Sequence, residues 1–198
     1  MSEIHHPHIN PQSHIHTETK KLKLRKLHIG MRNIKTAFAA TLCAFIYLLI
    51  HRNPTFACIG AVFGIGSDMG ESRLGGGNRL FGTIIGGLIG MFLFRLHMVF
   101  EPNGTFSPLM LLWLFIGVVL LILISTGVKW PGAIQPGGVM LCIILFNTPA
   151  ATYISYSLNR IVDTGVGVVV ALLVNYLFPQ ERWLKIKSHL KKKFKKIF

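Results

Sequence analysis

The sequence predicts an all-α protein of the polytopic membrane class: a bundle of six transmembrane helices, built as an inverted repeat of three plus three. Three observations predict it. First, 51% of the 198 residues are hydrophobic, only 14% are charged, and the mean hydropathy is +0.52; a soluble domain usually carries charge on about a quarter of its residues. Second, the charges are segregated. Lys20, Lys21, Lys23, Arg25, Lys26, Arg32 and Lys35 crowd one end of the chain. Arg182, Lys185, Lys187, Lys191, Lys192, Lys193, Lys195 and Lys196 crowd the other, and charges are sparse between. Third, one line is written twice. "RLFGTIIGG" from Arg79 and "RIVDTGVGV" from Arg160 each place threonine four residues and glycine seven residues after an arginine.

Residues 1–28 form a His-rich, basic tail of low complexity, expected to be disordered because it has too little apolar surface to bury. His5, His6, His8, His14 and His16 have no second ligand type fixed nearby, so no metal or cofactor is expected. The tail is too polar for a cleavable signal peptide, and the first apolar segment would act as an uncleaved anchor.

A membrane helix needs about 20 apolar residues. Segment one runs over 34–50 and segment two, "FACIGAVFGIG", is short by that standard. Segment three covers 80–100 and segment four 109–125. Segment five, "PGAIQPGGVMLCIILFN", is interrupted by Pro131, Pro136 and a glycine pair, and segment six covers 161–178. Six spans leave both ends on one side, and the flanking lysines and arginines place that side in the cytoplasm. The loops 67–79 and 126–132 are then cytoplasmic; 51–55, 97–107 and 148–159 face outward. After the spans, residues 181–198 set Trp183, Ile186, Leu190, Phe194 and Ile197 near one face, as a basic amphipathic helix at the membrane surface.

The net charge of +14 does not imply nucleic acid. Its basic residues flank apolar spans and lack any zinc-finger or basic-region pattern, so the lipid bilayer is the expected partner. Cys43, Cys58 and Cys142 form no CxxC pair and read as small buried residues. No nucleophile–base pair or set of paired acids appears, and "GESRLGGGNR" lacks the G-K-[ST] ending of a phosphate loop, so the chain is not expected to be an enzyme.

The repeat inverts because each half contains an odd number of spans. Pro54 lies 25 residues before Arg79 and Pro136 lies 24 before Arg160. In transporters of this plan the substrate sits between the halves, and short or interrupted segments mark the place; here those are segments two and five. Gly82, Gly86 and Gly90 make consecutive G-x-x-x-G steps on segment three, and Gly165 and Gly167 lie on segment six. They read as helix-packing positions that also favour self-association into a homo-oligomer.

"IGMRNIKTAFAATL", "RLFGTIIGGLIG" and "NRIVDTGVGVVVALLVNYLFP", in that order, resemble the aromatic acid exporter family, also called fusaric-acid-resistance-like. The resemblance covers residues 29 to 180, the six-helix domain. It implies a bacterial inner-membrane exporter of aromatic carboxylic acids or similar organic anions. Many members carry a cytoplasmic domain after the sixth span, whereas only "QERWLKIKSHLKKKFKKIF" follows Pro179 here. Without that domain the competing expectation is a non-transporting membrane scaffold that works with a partner chain.

An anionic aromatic substrate needs a cation for its carboxylate and apolar walls for its ring. Arg79 and Arg160 head two spans, Arg32 and Lys35 form a second cationic pair, and Gln135 adds an amide; each is a candidate substrate-binding residue. Asp163, three residues after Arg160, reads as its intrahelical ion partner. The sharper reading makes Asp163 a proton-coupling site whose protonation frees Arg160. With no ATP-binding motif, the proton gradient is the expected energy source.

Overall fold

The computed structural model describes residues 30–102, 104 and 106–178. The polar tail predicted over 1–28 and the amphipathic helix predicted over 181–198 lie outside the described residues. Every regular element among the described residues is helical: α1 (Met31–Leu49), α2 (Thr55–Gly64), α3 (Met69–Phe100), α4 (Pro108–Gly127), α5 (Ile134–Asn147) and α6 (Tyr153–Leu177). Short 3-10 turns at Pro131–Ala133 and Ala150–Thr152 lead into α5 and α6.

By length and composition, α3, α4 and Ala150–Leu177 can each cross a membrane. The chain is therefore a multi-pass membrane protein. The other elements differ in kind. α2 has 10 residues and α5 has 14, about 15 and 21 Å of helix, against a hydrocarbon core of about 30 Å. The interruptions expected in segments two and five are thus real shortenings.

Two expected boundaries move. α3 begins at Met69 rather than near Leu80, and α6 at Tyr153 rather than near Ile161. Both additions had read as loops because glycine and polar residues dominate them. Two forces override that local preference at α3. Asp68 accepts a hydrogen bond from the Glu71 backbone N–H at 2.8 Å, and the Glu71 carboxylate accepts one from the Ser67 N–H at 2.6 Å. These two carboxylates cap the helix start reciprocally. The glycines behind it are sites of close approach: a Cβ on Gly75 would meet the Phe63 carbonyl at 2.8 Å, and one on Gly76 the Val168 side chain at 2.7 Å. The supposed cytoplasmic loop is three turns of helix.

Two apolar cores result. The first joins Ala39, Cys43 and Tyr47 of α1 to Ala57 and Ala61 of α2 and to Val170, Ala171 and Val174 of α6. The second joins Ile89, Leu93 and Phe94 of α3 to Met110 and Leu121 of α4 and to Met140, Leu141, Ile144 and Leu145 of α5. Each core takes two helices from one half of the sequence and the third from the other. α3 and α6 also pack on each other, which joins the two cores.

The first helix of each half also ends in the same way. His51 and Lys129 adopt left-handed backbone, with φ of 52° and 57°. The next residue then bonds back to the helix, Arg52 N–H to the Tyr47 carbonyl at 3.0 Å and Trp130 N–H to the Ser125 carbonyl at 2.8 Å. This is the helix-terminating motif usually made by glycine. Here it reverses the chain into the two short helices.

Candidate functional site

Three polar assemblies among the described residues bear on function. The first is a cavity of about 350 Å³ beside the start of α5, with Arg79 and Gln135 on its wall together with Phe63, Asn78, Pro136 and Val139. Arg79 reaches it from the third turn of α3. Its guanidinium carbon lies 5.4 Å from the Phe63 ring centroid, a cation–π distance. Its Nε is buried and makes no hydrogen bond. Among the described residues no acidic side chain lines the cavity, so a partly desolvated guanidinium faces a mostly apolar space without a counter-charge. Such a space has the chemistry to accept an anion with an apolar body.

The second assembly lies near the start of α6. A cavity of about 150 Å³ is bounded by Arg52, Asn53, Tyr156, Asn159, Arg160 and Asp163. Asp163 is buried, and its Oδ1 accepts from Arg52 at 3.0 Å and from the Tyr47 hydroxyl at 2.8 Å. Arg52 also donates to Asn159 Oδ1 at 3.3 Å. The expected Asp163–Arg160 pair is therefore replaced by a pair across the bundle. The cause is geometric: the turn at His51 delivers Arg52 directly over Asp163. Arg160 instead packs its guanidinium against two rings, 4.0 Å from the Phe56 centroid and 4.3 Å from that of Tyr156.

The third assembly ties the beginning of α1 to the end of α6. Lys35 is buried and donates to Asn175 Oδ1 at 2.8 Å. The Asn175 amide donates to the Asp68 carbonyl at 3.0 Å and to Ser72 Oγ at 2.8 Å. The Gly66 N–H donates to that same serine oxygen at 2.7 Å. On the outside, Arg32 pairs with Glu71 at 3.3 Å and donates to the Ile65 carbonyl at 3.3 Å. Arg32 and Lys35 thus line neither of these two cavities; they tie the start of α1 to α3 and α6.

Glu71 lies before the apolar part of α3, and its carboxyl is held below the usual carboxylate range. The Ser67 N–H bond is the main cause, with Arg32 contributing less. A lowered folded-state value stabilises the fold above the unfolded value and loses that contribution as pH falls through the folded one. Acidification from about pH 4.3 downward is therefore expected to loosen the start of α3. Faster amide exchange at residues 67–72 would report it. In Glu71→Gln the acid-dependent part should vanish.

The repeated line acquires a physical meaning. Thr83 donates to the Arg79 carbonyl at 2.7 Å, and both Thr83 and Thr164 are buried. A Cβ on Gly86 would overlap the Gly137 carbonyl of α5, and one on Gly167 the Ala57 carbonyl of α2. Each copy seats a long helix against the short helix of the other half. A Cβ on Gly82 would lie 2.5 Å from the Ala133 carbonyl, in the turn that leads into α5, and one on Gly90 2.9 Å from Ile144 of α5. Gly165 stands apart, since a Cβ there would meet only Leu80, at an ordinary 3.6 Å.

Phe63, Asn78, Phe56, Tyr47, Tyr156 and Asn159 were not singled out by sequence. For all but Tyr47 the advance signal is membership of the short segment two or nearness to a candidate arginine; Tyr47, inside segment one, had none. Arg52 carried a better signal, as a basic residue in a loop expected from sequence to face outward, where basic residues are rare.

Apolar helices long enough to cross a membrane, packed around cavities that present unpaired guanidinium groups, fit a membrane transporter. The chain belongs to the aromatic acid exporter family: the model for aromatic acid exporter family member 1 matches residues 27–178. No curated protein and no solved structure matched the chain.

Proposed function

We propose that the protein exports small aromatic carboxylates through the bundle, taking them up at the Arg79 cavity. The observation that carries this reading is the unpaired Arg79 guanidinium on the wall of a mainly apolar space of about 350 Å³. The substrate carboxylate would replace the missing counter-charge and its ring would lie against Phe63, with Gln135 as a second donor. In the proposed topology six segments cross or enter the bacterial inner membrane. Both chain ends are cytoplasmic, as their basic clusters favour, which puts the Arg79 cavity on the cytoplasmic side.

An inverted repeat is part of the same proposal. The swapped third helices, the twin turns at His51 and Lys129, and the matched Arg-Thr-Gly lines support it. Such a plan lets one half rock against the other around a central site. The proposed energy source is the proton gradient. Asp163 is the carboxylate placed to respond to it, through Arg52 rather than through Arg160.

The test is efflux of benzoate and hydroxybenzoates from proteoliposomes. Arg79→Gln should lower efflux ten- to a hundredfold, a loss of about 1.4 to 2.8 kcal/mol of binding. Arg79→Lys should recover part of it, since the charge remains while the planar fork is lost. Efflux at the wild-type rate in Arg79→Gln would remove this residue from the pathway. No efflux from well-folded wild-type protein would defeat the export reading.

A further inference from the structure

We propose that the Arg160 cavity is a second anion site, built to take a single negative charge, and that Asp163 sets that valence. The proposal rests on the reading of the protein as a carboxylate exporter and deepens it by naming the charge its substrate carries.

Three charged side chains bound this cavity: Arg52, Arg160 and Asp163. Their sum is one positive charge. Arg52 is committed, because its Nη2 meets both Asp163 and Asn159. Asp163 is committed too, with the Tyr47 hydroxyl and Arg52 on one carboxylate oxygen and nearly all of its surface removed from solvent. Arg160 makes no ion pair among the described residues. Its ring neighbours Phe56 and Tyr156 cover it at 4.0 and 4.3 Å, and its Nε is buried without a hydrogen-bond acceptor.

A guanidinium donates only in its own plane, and a carboxylate is the planar acceptor that matches the fork. Two rings already lie at cation–π distance from this guanidinium, and its unused N–H groups offer a charge-assisted contact. One carboxylate brings the cavity to neutrality. A dianion would overshoot and place its second charge against Asp163. The volume of about 150 Å³ suits a small acid, well below the 300–1,000 Å³ typical of drug-sized pockets. In this arrangement Asp163 acts as a tethered anion that already occupies one of two cationic positions. It is a specificity-determining residue for monocarboxylates over dicarboxylates.

The experiment uses the full chain in lipid nanodiscs, with Arg79→Gln as background so that the larger cavity does not contribute. Calorimetric titration compares benzoate, phthalate and neutral benzamide. The background protein should bind benzoate at least tenfold more tightly than phthalate, and benzamide not measurably. Adding Asp163→Asn raises the site to two positive charges and should shift the benzoate-to-phthalate ratio at least tenfold toward phthalate. A ratio within twofold of the background in folded Asp163→Asn overturns the proposal, as does absence of saturable binding by either anion.

Should Asp163→Asn not fold, Asn159→Asp tests the same charge sum from the other side. It neutralises the cavity and should weaken benzoate at least tenfold; unchanged benzoate affinity overturns the proposal. Efflux is measured separately. A valence shift without efflux from wild-type liposomes sustains this site and defeats export. Efflux without a valence shift sustains export and defeats this site.

Discussion

Leucine in place of Gly167 is expected to abolish the folded bundle, and Gly86→Leu to do nearly the same. At both positions the obstacle is backbone. A Cβ on Gly167 would overlap the Ala57 carbonyl and stand 2.9 Å from the Ala61 nitrogen; one on Gly86 would overlap the Gly137 carbonyl and lie 2.8 Å from its Cα. A side-chain neighbour could swing away, but a helix backbone can yield only by moving a whole element. Overpacking usually costs about 1–3 kcal/mol and more where relaxation is blocked. Here the element that must move is a short helix held on both sides, so the upper end applies. Gly165→Ala is the matched control, because its nearest neighbour is a leucine methyl at 3.6 Å. Thermal unfolding in detergent and the yield of monodisperse protein would separate them: loss at Gly167 and Gly86, little change at Gly165. Retained stability in Gly167→Leu would show that α2 and α6 are not locked as described.

The second large effect is expected at Asn175. Asn175→Leu removes the acceptor of the buried Lys35 ammonium and both amide donations, to Asp68 and Ser72. An ammonium left buried without a partner costs far more than the net worth of the bonds it made. A buried donor left without its acceptor typically costs about 1–3 kcal/mol, and more when the group is charged. The same arithmetic predicts rescue. Lys35→Met on the Asn175→Leu background takes away the stranded charge and should restore more than half of the lost stability. Chemical unfolding of the wild type, both single variants and the double variant closes the cycle. Additive losses, with no rescue, would place Lys35 in water and dismantle the network. Because this network joins α1, α3 and α6, weakening it should also raise solvent access at Cys43, which labelling can read.

Much of the architecture was legible beforehand because a membrane imposes simple rules. Long apolar runs become helices, so segment four differs from α4 by only one or two residues at each end. Prolines mark interruption, and Pro131 and Pro136 do fall where α5 is delayed and shortened. What misled was local composition at helix starts. "SDMGESRLGGGNR" looks like a hinge, yet from Met69 onward it is helix, because its glycines let the backbone approach Phe63, Val168 and Trp130. Glycine lowers helix propensity by about 1 kcal/mol per residue, and close packing more than offsets that here. No window of neighbouring residues contains that information.

The sites divide in the same way. Arg79 and Gln135 were each identifiable, one as a cation heading an apolar run and the other as an amide in an interrupted helix. Their meeting at one cavity depends on α5 being short. Asp163 was identifiable as a carboxylate in an apolar segment, but its partner was misjudged. Helical spacing offered Arg160, three residues away, while the fold supplied Arg52, 111 residues away.

By itself, then, the amino-acid sequence determined the helical class, the membrane setting, the family and which residues carry charge into apolar surroundings. Hydrophobic periodicity and charge placement are local properties, and a bilayer filters them harshly. Only the tertiary structure decided which arginines meet a carboxylate, that Lys35 and Arg32 bond to Asn175 and Glu71, and that the third helix of each half packs into the core of the other. Those outcomes follow from the turns at His51 and Lys129 and from backbone contact at Gly86 and Gly167. They are distances between segments far apart in the chain, and the side chains concerned have no local pattern that records them.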